Sequence, residues 1–106
     1  MKENLAEILD RVAAAAKWQQ ERSERASKEA QQAHNGTGDF AEASDGVRAW
    51  FEGHACGVNG ARRDAAAILD SIAVALAEVL GTEVPDAGEA QERLVAKARA
   101  EIAATP

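Results

Sequence analysis

Two stripes of small residues at matching helical spacing constrain this chain more than any other feature. One runs Leu5, Leu9, Val12, Ala16, Gln19, Ser23, Ala26, Ala30, Ala33; the other runs Gly46, Trp50, Gly53, Gly57, Gly60, Asp64, Ala67, Ser71, Val74. Each advances by alternating steps of four and three residues, which keeps one face of an α-helix turned toward a partner helix. Small side chains on both faces would let two backbones approach closely. The pattern predicts an all-α fold, a long antiparallel helical hairpin. Ala16, Ala26, Gly53 and Gly57 are expected at its seam. Trp50 is expected as a large knob over Ser23 and Ala26.

The chain of 106 residues is expected to form a single helical domain. Helix 1 is predicted over about residues 3–33, without proline and with Glu7–Arg11, Glu21–Arg25 and Glu24–Lys28 as i,i+4 pairs. His34-Asn35-Gly36-Thr37-Gly38 forms the turn, since Asn and Gly accept the left-handed conformation that closes a helix. Asp39 with Glu42 reads as a capping box opening helix 2, with Ser44 as the alternative cap. Helix 2 is predicted over about 40–80, either continuous or kinked near Gly57–Gly60, because each interior glycine costs about 1 kcal/mol relative to alanine. Gly81 stops it. Pro85 and the Asp86/Glu89 box open helix 3, over about 86–103. Its predicted inner face is Ala87, Gln91, Leu94, Ala98 and Ile102. This short helix is expected to pack at the hairpin base against Ile68, Ile72, Leu76 and Val79.

A second line on helix 2 runs Val47, Phe51, His54, Val58 and on through Ala61, Ala65, Ile68 and Ile72. Its first four members lie beyond the reach of a short third helix. They form either a contact surface for another molecule or a strip covered by a bend of the arm or a rotation of helix 1. Trp18 falls outside the inner stripe of helix 1. It either caps the end of helix 3 or sits at an interface, where tryptophan is enriched. The candidate partner-binding residues are therefore Val47, Phe51, His54, Val58 and Trp18, with the acidic tip formed by Asp39, Glu42 and Asp45.

Charge narrows the function classes. The net charge is −6, and residues 34–60 carry Asp39, Glu42, Asp45 and Glu52 against Arg48 alone. No Lys/Arg stripe answers a phosphate backbone, so neither nucleic acid nor an anionic membrane is expected as a partner. The longest apolar run, Ile72 to Ala77, is far too short to span a bilayer. The start, MKENLAEILD, lacks the pattern of a signal peptide, and a single cysteine, Cys56, suits a reducing cytoplasm. His54 and Cys56 lie two apart on a helix and point in different directions, so with His34 they make no expected metal site. No cofactor is expected. No nucleophile, base and electrostatic clamp stand out together, which argues against an enzyme. Asp64, on the glycine stripe, is expected to be partly buried and paired with Arg11 or Arg62.

Two resemblances bear on function. Trp50-Phe51-Glu52-Gly53 comes near the Trp–x–Gly turn of secreted WXG-type hairpins. It has one residue too many and falls inside helix 2, which sets that family aside. The run Ala49-Trp50-Phe51-Glu52-Gly53-His54-Ala55-Cys56-Gly57-Val58-Asn59-Gly60, leading into Ala61-Arg62-Arg63-Asp64-Ala65-Ala66-Ala67-Ile68-Leu69, resembles short accessory proteins of phages that infect high-GC bacteria. The resemblance covers about a fifth of the chain. It implies a non-enzymatic protein that acts by binding a host protein. The alternative from the residues themselves is a structural, assembly or chaperone-like subunit that forms a homodimer through the hairpin arm in a coiled-coil manner.

Overall fold

A computed structural model describes Lys2–Pro106, with side chains from Asn4 onward. The fold is all-α: α1 (Lys2–Asn35), a 3-10 turn (Gly38–Phe40), α2 (Asp45–Leu80) and α3 (Ala87–Ala104). The two long helices pair as a hairpin and the short α3 completes the fold. α2 runs unbroken through Gly57 and Gly60.

The helix ends follow local chemistry. α1 closes at Gly36, whose φ of 64° is left-handed, and the Thr37 N–H donates to the Gln32 carbonyl at 3.1 Å. α2 closes in the same way, with Gly81 at φ 70° and the Thr82 N–H donating to the Ala77 carbonyl at 2.9 Å. Asp86 caps α3, accepting from the Glu89 N–H at 3.1 Å. The start of α2 differs from the predicted Asp39/Glu42 box. Residues around Asp39 form the 3-10 turn, and α2 begins five residues later than expected. Ser44 is the cap, its hydroxyl accepting from the Val47 N–H at 3.3 Å. Phe40 accounts for the delay: a buried side chain on the turn packs its ring 5.4 Å from Phe51.

The chain divides into two compact units, one comprising the chain up to Trp18 and from Ala66 onward, the other Gln19–Ala65. In the first, Leu9, Ala73 and Ala77 form a buried cluster, with Val12, Leu76 and Leu80 packed against it. Here the expected faces of α2 and α3 are corrected. Ile68, Ile72 and Val79 are exposed, and Leu76 alone of the expected four turns inward. On α3, Ala90 is fully buried and Ala87 and Leu94 are half-buried, whereas Gln91, Ala98 and Ile102 face solvent. Two ion pairs tie α3 to α1. Arg93 grips Asp10 with both Nε (2.9 Å) and Nη2 (2.7 Å), and Lys97 reaches Glu7 at 2.6 Å. Glu7 also accepts from Arg11 at 3.0 Å, as its i,i+4 spacing predicts.

The Lys97 ammonium hydrogen-bonded to Glu7 holds that carboxyl below its usual 4.5, against an opposing effect of desolvation. A folded-state pKa below the unfolded one means that the contribution is complete above 4.5. It is lost as pH falls through the lowered value. Glu7→Gln is therefore expected to lower the melting temperature at neutral pH and to match wild type in strong acid. Thermal melts at the two pH values check this.

In the second unit the α1 stripe lies where its spacing predicts: Ser23, Ala26, Ala30 and Ala33 are buried and Gln19 is half-buried. The α2 stripe does not. Gly46, Gly53 and Gly57 are exposed, and a Cβ added at any of them, or at Gly60, would meet nothing within 4 Å. Trp50 is 62% exposed and so is not a knob over Ser23 and Ala26. The face of α2 turned inward carries Arg48, Glu52, Ala55, Asn59 and Arg62, of which Ala55 is buried and the others half-buried. Ala55 and Gly57 are two residues apart, about 200° around a helix, so burying one line exposes the other.

The polar members of this inner line are all satisfied. The Ser23 hydroxyl donates to the Asn59 side chain, Arg62 donates to Gln19 at 3.0 Å, and His34 meets Glu52 at 3.0 Å. A polar seam is tolerable on these terms, because a buried polar group costs stability only when it lacks a partner.

Candidate functional site

The surface that sets this molecule apart is the outward face of α2 in the Gln19–Ala65 unit. It is built outward from Phe40. The 3-10 turn buries that ring, and Phe51, half-buried, tilts against it at 59°. The indole of Trp50 meets Phe51 edge-on, with centroids 4.9 Å apart and planes at 83°. On its other side Trp50 stacks flat on His54, at 5.2 Å and 5°. Edge-on and offset-stacked rings at these separations are favourable arrangements. A largely exposed tryptophan is thus held on two sides rather than left free to rotate.

Around it the helix offers little side chain. Gly46 and Gly53 flank Trp50, and Gly57 and Gly60 follow within three turns, all with open space above the backbone. Val47 lies on the same side, 46% exposed. Asp64 closes the strip and is exposed, contrary to the expectation that it would be partly buried and paired with Arg11 or Arg62. Those arginines are engaged elsewhere, Arg11 on Glu7 and Arg62 on Gln19. From Val47 to Asp64 the strip is therefore aromatic and small, with one imidazole near its start and one carboxylate at its end.

The structure separates the residues expected to act together. Val47 and His54 are exposed, whereas Phe51 and Val58 are half-buried, so the predicted line is rotated partly inward. Trp50, expected in the seam, takes the prominent place. Asp39, Glu42 and Asp45 are exposed at the hairpin tip, where Asp45 lies 3.5 Å from Arg48. Trp18 is 45% exposed, in the other unit.

Arg48 is a residue that the sequence reading passed over. Its Nε donates to the Ala33 carbonyl at 2.9 Å and its Nη2 to the His34 carbonyl at 2.6 Å. Both acceptors are among the last carbonyls of α1, which have no partner within their own helix. Gly36 is needed beside it: a Cβ there would come within 3.0 Å of the Arg48 guanidinium carbon, besides being strained by the positive φ.

The two histidines do not converge. His34 pairs with Glu52 on the inner side of α2, and His54 stacks on Trp50 on the outer side. Cys56 is a free, exposed thiol. Among the described residues no three His, Cys, Asp or Glu side chains are placed to share a metal ion. The other unit has an open groove of about 680 Å³ floored by Leu9, Leu80, Pro85 and Leu94. The cations at its rim, Arg93 and Lys97, are already paired with Asp10 and Glu7. Among the described residues no helix is long and apolar enough to cross a membrane. No protein-family model, curated protein or solved structure matches this chain.

Proposed function

We propose that this protein is a non-enzymatic protein-binding module that works by presenting the outward face of α2 to another protein. One observation carries the reading: Trp50 is 62% exposed yet fixed between Phe51 and His54. Burying an exposed aromatic side chain is worth roughly 1.5–3 kcal/mol. A side chain already held in place loses little further freedom when a partner covers it. Tryptophan is correspondingly enriched among the few residues that dominate binding energy at interfaces. The exposed glycines point the same way. Each weakens an isolated helix by about 1 kcal/mol, and the fold gains no internal packing from them.

The acidic tip at Asp39, Glu42 and Asp45 sits on the same unit and disfavours nucleic acid as the partner. A lone exposed thiol, Cys56, suits a reducing compartment such as the cytoplasm. A binding role also agrees with the accessory proteins of phages that the Ala49–Leu69 run resembles.

Trp50→Ala is expected to abolish retention of a partner on the immobilised protein while leaving helical content unchanged. Phe51→Glu is a poorer test, since it would also disturb Phe40. Equal retention by wild type and Trp50→Ala would sink the proposal.

A further inference from the structure

We infer that the protein seated on the outward face of α2 is a second copy of this chain, paired antiparallel so that His54 of each copy faces Asp64 of the other. This rests on the reading of that face as a protein-contact surface and names its occupant.

The argument starts from charge. On the line Val47, Trp50, His54, Gly57, Ala61, Asp64, which alternates steps of three and four, the only members able to carry charge are His54 and Asp64. All except Ala61 and Gly57 have side chains larger than a methyl group, and all six are exposed. A twofold interface presents the same patch on both copies and must be complementary to itself. Parallel pairing fails this requirement, because it sets Asp64 against Asp64. Two antiparallel registers on this line put Gly57 of each copy at the centre of the contact. In one, Asp64 faces Val47 of the other copy, and the carboxylate is covered by an apolar side chain with no donor, an arrangement that costs free energy. In the other, Gly57 faces Ala61 and Asp64 faces His54, whose imidazole supplies an N–H donor in either protonation state. Two such pairs form by symmetry.

Steric fit favours the same register. Its centre is Gly57 against Ala61, where a Cβ on the glycine would have open space, so the two helices can approach closely. Trp50 and Val47 then extend beyond the pairs at both ends, where their bulk does not hold the centre apart. The strip from Val47 to Asp64 is about 27 Å long, since each residue rises 1.5 Å. A contact of one helix face on another lies at the small end for protein interfaces. The dimer is accordingly expected to depend on chain concentration.

Sedimentation of the full chain under reducing conditions, over a series of chain concentrations, tests the inference. Wild type is expected to pass from monomer to dimer. His54→Asp sets carboxylate against carboxylate twice and should weaken association about tenfold or more. Combining His54→Asp with Asp64→Lys restores opposite charges only in the antiparallel register and should return association to near wild-type strength. Gly57→Leu fills the centre and should leave a folded monomer, with helicity read by circular dichroism. A wild-type monomer throughout the series, a dimer indifferent to His54→Asp, or a double variant that stays monomeric would each overturn the inference. A wild-type monomer that retains another protein in a Trp50-dependent manner would overturn the second copy as occupant while leaving the contact-surface reading standing. Loss of both would remove both.

Discussion

Substituting alanine for both Gly53 and Gly57 is expected to stabilise the fold by about 1–2 kcal/mol, the helix-propensity gain for two interior positions. Both sites have room: an added Cβ meets nothing within 4 Å, and neither residue has a positive φ. For a domain of this size the gain corresponds to a rise in melting temperature of roughly 5–10 °C. The melts belong at a chain concentration where sedimentation gives a monomer, so that association does not add to the reading. The expected sign opposes that for glycines packed in the seam, where added side chains would overpack the contact and destabilise by about 1–3 kcal/mol. A lower melting temperature for the double variant would return the glycines to the seam and remove the outward face on which both functional inferences rest.

The sign was not legible in the sequence, and the reason is physical. Heptad spacing marks a line of residues as coherent but does not say which line faces inward when several are available. On α1 the choice was unambiguous. Leu9, Ala16, Ala26, Ala30 and Ala33 share a face, and the charged residues of QQERSERASKEAQQA flank it. On α2 two lines competed, one rich in glycine and one interrupted by Arg48, Glu52, Asn59 and Arg62. Smallness favoured the first and polarity disfavoured the second.

The structure reverses the choice because leucine outweighs glycine in apolar area. Leu76 and Leu80, each half-buried, pack against the Leu9 cluster, and covering even part of such a side chain is worth about 1 kcal/mol, against almost nothing for glycine. An unbroken helix carries that phase along its length. The polar residues that the phase turns inward then find acceptors and donors on α1: Asn59 meets Ser23, Arg62 meets Gln19, and Glu52 meets His34. Pairwise satisfaction of this kind leaves no periodic trace in a single sequence. The helix ends, by contrast, were legible wherever one residue type dictates the geometry. Gly36, Gly81 and Asp86 act as their types predict. The start of α2 was misplaced because Phe40 is drawn to a ring eleven positions away in the chain, a contact that local capping signals cannot register.

The candidate surface was half visible for the same reason. Val47 and His54 are exposed, since they lie near the boundary between the two competing lines. Spacing alone places Trp50 in the seam because it belongs to the glycine line. Once that line turns outward, Trp50 turns with it, and the most informative exposed residue is the one that a packing argument would have buried.

Arg48→Ala is expected to destabilise the fold by about 1.5–3 kcal/mol, the range for hydrogen bonds to a charged group whose loss leaves partners unsatisfied. The guanidinium closes the C-terminus of α1 from outside that helix. It donates to the carbonyls of Ala33 and His34 at 2.9 and 2.6 Å, where a cation is also favoured by the helix dipole. Its side chain is only 28% exposed, so solvent replaces these bonds incompletely. The effect should spread along the turn, because Gly36 and Arg48 are in close contact and α2 begins only three residues before Arg48. Arg48→Lys should recover part of the loss at most. A single ammonium can reach one carbonyl, but it lacks the planar fork that engages two adjacent acceptors together. Denaturant unfolding of the three proteins checks the order wild type, Arg48→Lys, Arg48→Ala. Hydrogen exchange at the Thr37 amide, which donates to Gln32 across the turn, should quicken in the same order. Equal stability of all three would mean that the turn holds without the arginine, leaving Gly36 and the buried Phe40 to close the hairpin by backbone geometry and packing alone.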